Sequence, residues 1–312
     1  GLVTKIKTGE IIAITSLPDY DPNRYAAARP EALFNQATKG VFEMGSIFKV
    51  LNTAIALEAG AAGLTSTYDV TRPLRVSGFP IRDYHPHDRF LNLSEVFVFS
   101  SNIGSARIAE DIGPNIQRSY MDKLGLLERP TLELTETAQP LYPARWGRLS
   151  SYTISFGHGI SVSPIHVAGA VSAAAGTGEF IAPTLLRRRP DELFERVRIF
   201  SDETTRKVRS MMRLAVSHED GTANFAEAKI DGAFSIEDKE SLPVLYDLIQ
   251  NEGLSLGTSC GVNIAGAIRL GKKLGPGKTI VTILCDRSDK YNSKLFNKKF
   301  LQEKGLPIPA WI

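Results

Sequence analysis

Apolar and polar positions change period several times along the chain, and each change marks an element. From Leu2 to Thr15 the pattern predicts two short strands joined by a turn at Thr8-Gly9. A loop rich in proline, aspartate and asparagine follows from Pro18 to Asn23. Helical spacing begins at Ser46 and runs to about Gly60, with Val50, Leu51, Ala54, Ile55 and Leu57 forming an apolar stripe fit for burial. Further helices fit Asn92 to Phe99, Ile103 to Asp111, the alanine-rich Ile165 to Ala175, and the amphipathic Ser201 to Ser217. Beyond Gly221-Thr222-Ala223-Asn224 the pattern alternates. It predicts a helix over Pro243–Asn251 opened by its proline, a strand Leu254–Leu256 and a glycine-rich turn Gly257–Gly261. A helix Asn263–Leu274 and a buried strand Thr279–Cys285 complete the run. Such alternation is typical of parallel α/β architecture, and it places a domain boundary near residue 223.

Composition adds mainly exclusions. A length of 312 residues with 43% hydrophobic content suits one large or two ordinary globular domains. The 37 basic and 34 acidic residues give a net charge of +3, with no general electrostatic reason to expect nucleic acid. Both cysteines, Cys260 and Cys285, fall late in the chain, so the first 259 residues offer no disulfide framework and no metal-thiolate site. His85-Pro86-His87-Asp88 has metal-like spacing but lacks a third neighbouring ligand, and reads as a solvated loop. No apolar run approaches the roughly 18 to 20 residues that span a bilayer. The opening Gly1-Leu-Val-Thr-Lys5 lacks the layout of a signal peptide.

The candidate chemistry lies in two short motifs. Ser46 precedes Lys49 by one helical turn, so the amine lies within reach of the hydroxyl, the simplest layout for a nucleophile beside its base. Ser100-Ser101-Asn102 sits between two predicted helices, where a tight connection would present it. A Ser-x-x-Lys opening a core helix and a later Ser-x-Asn approach the set found in penicillin-binding proteins and class A β-lactamases, whose third element is Lys-Thr-Gly. Together with Thr8-Gly-Glu-Ile-Ile-Ala-Ile14, Phe42-Glu-Met-Gly-Ser-Ile-Phe-Lys49 and Ser155-Phe-Gly-His-Gly-Ile-Ser-Val-Ser-Pro-Ile165, these motifs resemble the transpeptidase domain of class B, division-type penicillin-binding proteins over about residues 1–220.

That resemblance implies an acyl-serine enzyme acting on D-alanyl-D-alanine stem peptides and binding β-lactams at Ser46, with no cofactor. Lys49 would be the base, Ser100 a proton relay to the leaving amine, Asn102 a clamp on the substrate's peptide group, and the Ser46 N–H half of an oxyanion hole. It also implies membrane proteins of the division complex as partners, and the periplasmic face of a bacterial inner membrane as the setting. The third motif is missing where the family has it. After the Ser201–Ser217 helix the chain reads His218-Glu-Asp-Gly-Thr-Ala-Asn-Phe-Ala-Glu-Ala-Lys-Ile-Asp-Gly232. Lys7-Thr8-Gly9 has the letters but belongs to the first hairpin turn, and Lys278-Thr279-Ile280 lacks the glycine. His158 is expected in the packed wall behind the site.

From about residue 224 the text resembles another family, the C-terminal part of cysteine synthase and related fold-type II pyridoxal-phosphate enzymes. The carrying residues are Glu252 to Leu270, Leu274 to Asp286 and Tyr291 to Asn297. The resemblance implies that Ser259 hydrogen-bonds the pyridine nitrogen of pyridoxal phosphate, with a cytoplasmic setting. The family's Schiff-base lysine and phosphate loop have no counterpart in this chain. The expected fold is therefore mixed α/β (α+β): a penicillin-binding, β-lactamase-like transpeptidase fold over 1–222 lacking its last sheet strands, then a β-α-β fragment of a pyridoxal-phosphate enzyme over 223–312. The alternatives are a pyridoxal-phosphate lyase or transferase and a non-functional chimera of the two.

Overall fold

The computed structural model describes residues 1–189, 191–223, 234–277, 280, 282, 284 and 287–312, and divides the chain into two compact units, Gly1–Ala228 and Lys229–Ile312. In the first unit, strands β1 (Leu2–Thr4) and β2 (Ile11–Ile14) form an antiparallel hairpin in which Leu2 faces Ile14 and a bulge separates Val3 from Thr4. One parallel bridge, Glu10 to Thr184, extends this hairpin. Three further antiparallel pairs are small: β3 (Thr67–Asp69) with β6 (Phe90–Asn92), β4 (Leu74–Val76) with β5 (Phe79–Ile81), and β7 (Glu179–Phe180) with β8 (Val197–Arg198).

Helices carry the core. Helix α1 (Phe48–Glu58) buries Phe48, Leu51, Ala54 and Ile55 completely, because these positions recur at helical spacing on its inward side. Around it lie α2 (Leu93–Val98), α3 (Asn102–Ile112), α4 (Pro114–Lys123), α5 (Arg148–Ser155), α6 (Pro164–Ser172) and α7 (Asp202–Ser217). Leu93, Val96, Ile108, Met121, Val208 and Met211 join α1 in one continuous cluster. Side-chain caps start several of these helices. Asn92 and Glu95 form a reciprocal capping box on α2, Ser101 caps α3 by accepting the Gly104 N–H, and Ser201 caps α7 by accepting the Thr204 N–H.

A buried polar network braces four of these helices. Asn52 on α1 donates to the Ser105 carbonyl of α3 at 3.1 Å, and Gln117 on α4 donates to the Ser151 carbonyl of α5 at 3.1 Å. Trp146 donates to the Gln117 side-chain oxygen at 3.1 Å. Unlike apolar packing, these directional contacts fix the rotation of α1, and hence where its first turn points.

Two expectations about this unit are corrected. The helix does not begin at Ser46: Gly45–Ile47 form a single tight 3-10 turn, and α1 follows it. A 3-10 turn is a common helix start, and glycine at 45 takes the positive φ of 57° that lets the chain enter it. The histidine loop is also not wholly solvated. The His87 ring packs on Phe99 at 5.0 Å, and its Nε2 atom is buried.

The second unit pairs helices α8 (Asp238–Glu252) and α9 (Thr258–Leu274), followed by the short helices α10 (Asn292–Leu295) and α11 (Lys298–Glu303). Its core is Leu242, Leu245, Tyr246, Cys260, Leu295 and Leu301. Pro243 lies inside α8 rather than opening it, and α9 starts five residues before the expected Asn263. Leu256 makes a single bridge to Arg287 in place of a strand. Most of the expected strand Thr279–Cys285 lies outside the described residues.

Replacing fully buried Leu51 with alanine is expected to destabilise the chain by about 2–5 kcal/mol, read from the shift of a urea unfolding curve. Gly157 gives a second prediction. Its φ is +81°, and a Cβ there would stand 2.1 Å from the Gly45 carbonyl oxygen. Gly157→Ala should lower the unfolding midpoint and disturb the Gly45–Ile47 turn, whereas Gly147→Ala, where a Cβ meets nothing within 4 Å, should not.

Candidate active site

Three of the four residues of the first unit singled out by motif, Ser46, Lys49 and Ser100, meet at one place, and the Asn102 side chain is engaged elsewhere. Ser46 sits in the turn before α1, exposed at its surface, and Lys49 sits one turn further along, only 4% exposed. The Lys49 amine donates to the Ser100 hydroxyl at 2.8 Å and to the Ser100 carbonyl oxygen at 2.5 Å. The Ser100 hydroxyl in turn donates to the Ser46 hydroxyl at 3.2 Å. A hydrogen-bonded line therefore runs from a buried amine, through a half-buried hydroxyl, to an exposed one. The expected reach from Lys49 to Ser46 is made through Ser100.

Burial pulls the Lys49 amine down to about 8, and the negative charge of Asp83 opposes that fall. A lysine in this range is protonated in most molecules at neutral pH yet yields a neutral amine readily, as a general base requires.

Backbone geometry at Ser100 is unusual. It is one of two non-glycine residues with positive φ among the described residues, at 54°. A left-handed serine is strained, and such strain persists where surrounding contacts hold it. Here Lys49 holds both its oxygens, and the Ser101 N–H behind it bonds the Val96 carbonyl at 3.0 Å. Asn102 is the first residue of α3 rather than part of a loop, and its side-chain amide donates to the Arg82 carbonyl at 3.0 Å.

Three contributors escape motif reading. Asp83 accepts hydrogen bonds from Ser101 and from the first N–H groups of α3. Gly157 accepts the Gly45 N–H through its carbonyl at 3.2 Å, packing backbone on backbone behind the serine turn. Glu43 accepts the Gly159 N–H at 2.6 Å, tying the same glycine-rich stretch to the approach of that turn. Of the three, Glu43 and Gly157 fall within the stretches that carry the resemblance, and Asp83 lies outside them. His158 is exposed, touching the Phe156 carbonyl at 3.3 Å, so Gly157 forms the wall that the histidine was expected to line.

The decoy tripeptide behaves as a turn. Lys5 and Gly9 close the hairpin through a 2.8 Å backbone bond, Thr8 donates to Glu10, and Gly9 packs where a Cβ would stand 2.5 Å from the Ala182 oxygen. Lys278 and Thr279 lie outside the described residues. Among the described residues no group of three or more His, Cys, Asp or Glu is placed to hold a metal ion.

Ser259 in the second unit is exposed in the first turn of α9. The cavity in this unit, about 470 Å³, is lined by its neighbour Thr258 with Leu242, Tyr291, Lys294, Phe300 and Lys304, and Ser259 is not part of that lining. An exposed hydroxyl outside the cavity does not fit a cofactor ring that must be enclosed and held, so the pyridoxal-phosphate role expected of Ser259 has no support in the geometry.

Comparison with known proteins agrees with the first unit's geometry. Residues 1–233 match the family model for the penicillin binding protein transpeptidase domain. The chain is 37% identical over 247 residues to a probable peptidoglycan D,D-transpeptidase FtsI of Caulobacter vibrioides, covering 79% of this chain and 42% of that protein. To the peptidoglycan D,D-transpeptidase FtsI of Escherichia coli K12 it is 29% identical over 213 residues, covering 68% of this chain and 36% of that one. The chain thus spans about two fifths of the length of these curated relatives. Among solved structures, the apo TP domain of Burkholderia pseudomallei penicillin-binding protein 3 matches with a TM-score of 0.63 at 26% identity, over 76% of this chain and 72% of that one. The fold is the mixed α/β fold of these transpeptidase domains, and neither the family match nor these relatives support a cysteine synthase-like segment. With three quarters of its length inside the family model, and with Ser46, Lys49 and Ser100 hydrogen-bonded in line, the chain belongs to the penicillin-binding protein transpeptidase family.

Proposed function

We propose that the first unit is the acyl-serine centre of a peptidoglycan D,D-transpeptidase of the division type. The observation that carries this reading is the line Lys49, Ser100, Ser46. With the Lys49 amine neutral, the hydroxyls rotate so that Ser46 donates to Ser100 and Ser100 donates to Lys49. The Ser46 oxygen then attacks the carbonyl carbon of the penultimate D-alanine. Its proton passes along the line to Lys49 and returns through Ser100 to the departing amine of the terminal D-alanine. Asn102, one residue into α3, holds the substrate's peptide group, and the Ser46 N–H in the turn before α1 serves as an oxyanion donor. The substrates are stem peptides and, as mimics, β-lactams.

The family's Lys-Thr-Gly supplies a second oxyanion donor, and the chain lacks it after α7. Loss of one such donor costs about 10²–10³ in rate, so acylation is expected to be slow by that factor. The periplasmic face of a bacterial inner membrane is the proposed setting, with membrane proteins of the division complex as partners. Among the described residues no helix is long and apolar enough to cross a membrane.

Intact-mass spectrometry after incubation with benzylpenicillin tests the reading. One covalent penicillin per chain is expected, and none on Ser46→Ala. A folded chain that takes up no penicillin overturns it. The pH dependence follows from the lowered Lys49 amine. Because the neutral base is required, the acylation rate should rise with pH through about 8 and level off above it. A flat profile between pH 6 and 10 would remove Lys49 from the role of base.

A further inference from the structure

Asp83 lies outside every motif, in the connection from β5 to β6 and 17 residues before Ser100. Its Oδ2 atom accepts from the Ser101 hydroxyl at 2.7 Å, and its Oδ1 atom accepts from the backbone N–H groups of Asn102 at 2.5 Å and Ile103 at 2.9 Å. One half-buried carboxylate thus collects three donors from the first residues of α3, a set of charge-assisted bonds stronger than neutral ones. The neighbouring Arg82 carbonyl takes the Asn102 side-chain amide at 3.0 Å. Residues 82 and 83 therefore grip the Ser100-Ser101-Asn102 turn from one side, while Lys49 grips Ser100 from the other.

The strain at Ser100 gives this grip a purpose. A serine at a φ of 54° relaxes unless both flanks are held, and relaxation would carry its hydroxyl away from Ser46 and Lys49. The same carboxylate is also the charge that acts on Lys49, opposing the effect of burial. Acidic and basic groups on the other elements around α1 are engaged elsewhere. Glu95 on α2 is held by Arg89 and the Asn92 N–H, Glu110 on α3 by Arg148 on α5, and Arg107 on α3 donates to the Asp69 carbonyl. Asp111 acts on the neighbouring Tyr68 hydroxyl, and His166 on α6 bonds Ser163 and the Glu128 carbonyl. On α7, Glu203 pairs with Lys207 and Asp202 with Arg198, and on α4 Arg118, Asp122 and Lys123 are exposed.

We propose that Asp83 is a positioning residue for acylation, with two separable actions: its carboxylate locks the Ser100-Ser101-Asn102 turn in its strained geometry, and its negative charge, bonded to the residue next to the Lys49-bound Ser100, acts across that turn on the Lys49 ammonium. The first action serves the transpeptidase chemistry proposed above, whereas the second is a property of the folded unit and is measurable without turnover. Asp83→Asn separates them. The amide oxygen still accepts the Asn102 and Ile103 N–H groups, but the charge and the acceptor for the Ser101 hydroxyl are gone. Asp83→Ala removes both.

The experiment uses the full chain with ¹³C-labelled lysine, the Lys49 resonance being assigned by its loss in Lys49→Arg. Removing a nearby negative charge disfavours the protonated amine, so the Lys49 titration midpoint should fall by roughly half a pH unit or more in Asp83→Asn. The rising limb of penicillin acylation should move to lower pH by the same amount. In Asp83→Ala the Asn102 and Ile103 amides should lose protection from hydrogen exchange, and acylation should slow by about 10–100-fold, the scale of a misplaced catalytic group. An unchanged Lys49 midpoint in Asp83→Asn overturns the charge action. Undiminished amide protection in Asp83→Ala overturns the lock, and if that variant does not fold, loss of the same protection in Asp83→Lys with far-ultraviolet circular dichroism retained supports it. A wild-type chain that takes no penicillin overturns the transpeptidase reading alone, because the midpoint and the exchange rates still report on Asp83.

Discussion

Burial of the Lys49 amine is the constraint on which the site in the first unit depends. An ammonium taken out of water must find hydrogen-bond partners or give up its proton, and Lys49 does part of each. Its Nζ atom bonds both oxygens of Ser100, and its affinity for the proton is reduced to about 8. The partners are not interchangeable with water, because α1, α2 and α3 pack closely around that point. The connection between α2 and α3 is therefore drawn against the amine, and the price is a left-handed serine at 100. Asp83 answers from the opposite side of the turn. The result is an amine and two hydroxyls arranged from buried to exposed, with the Ser46 hydroxyl at the surface while the amine stays dry.

That arrangement holds only if the elements carrying it do not rotate. Apolar packing alone leaves helices free to slide by fractions of a turn, whereas the Asn52, Gln117 and Trp146 contacts are directional and buried. Asn52 is three residues beyond Lys49, on the same side of α1, so its bond to the Ser105 carbonyl fixes the angle at which Lys49 leaves the helix. The glycine-rich stretch at 157–159 does the equivalent for Ser46. Backbone bonds from Gly45 and an acceptor from Glu43 bring it close enough that a single methyl group would collide.

The second unit has a different physical character. Among the described residues, Leu242, Leu245, Tyr246, Cys260, Leu295 and Leu301 form its buried cluster. The hydrogen bond from the Tyr246 hydroxyl to the Leu295 carbonyl, at 2.9 Å, and the close packing of Gly261 on Leu245 tie its helices together. The family match ends at residue 233, so nearly all of this unit lies outside it.

Much of the helical scaffold was legible in the sequence, because amphipathic spacing and capping residues are local properties. The stripe from Val50 to Leu57, the Asn92 cap and the amphipathic run after Ser201 each specify a helix without reference to the rest of the chain. Spacing also singled out Ser46, Lys49 and Ser100, and these three are the residues that hydrogen bonds join. Pro243 misled: inside a helix a proline forfeits one backbone bond, and the burial of Leu242 and Leu245 on either side of it offsets that loss in α8. What only the tertiary structure decided is how the two motifs touch. The 3-10 turn at Ser46, the route of the Lys49 bond through Ser100, the left-handed φ there and the carboxylate of Asp83 all depend on contacts between residues 18 to 54 positions apart. Local sequence sets which residues can be helical and which can react; the direction in which a buried amine finds its partner is set by the packing of everything around it.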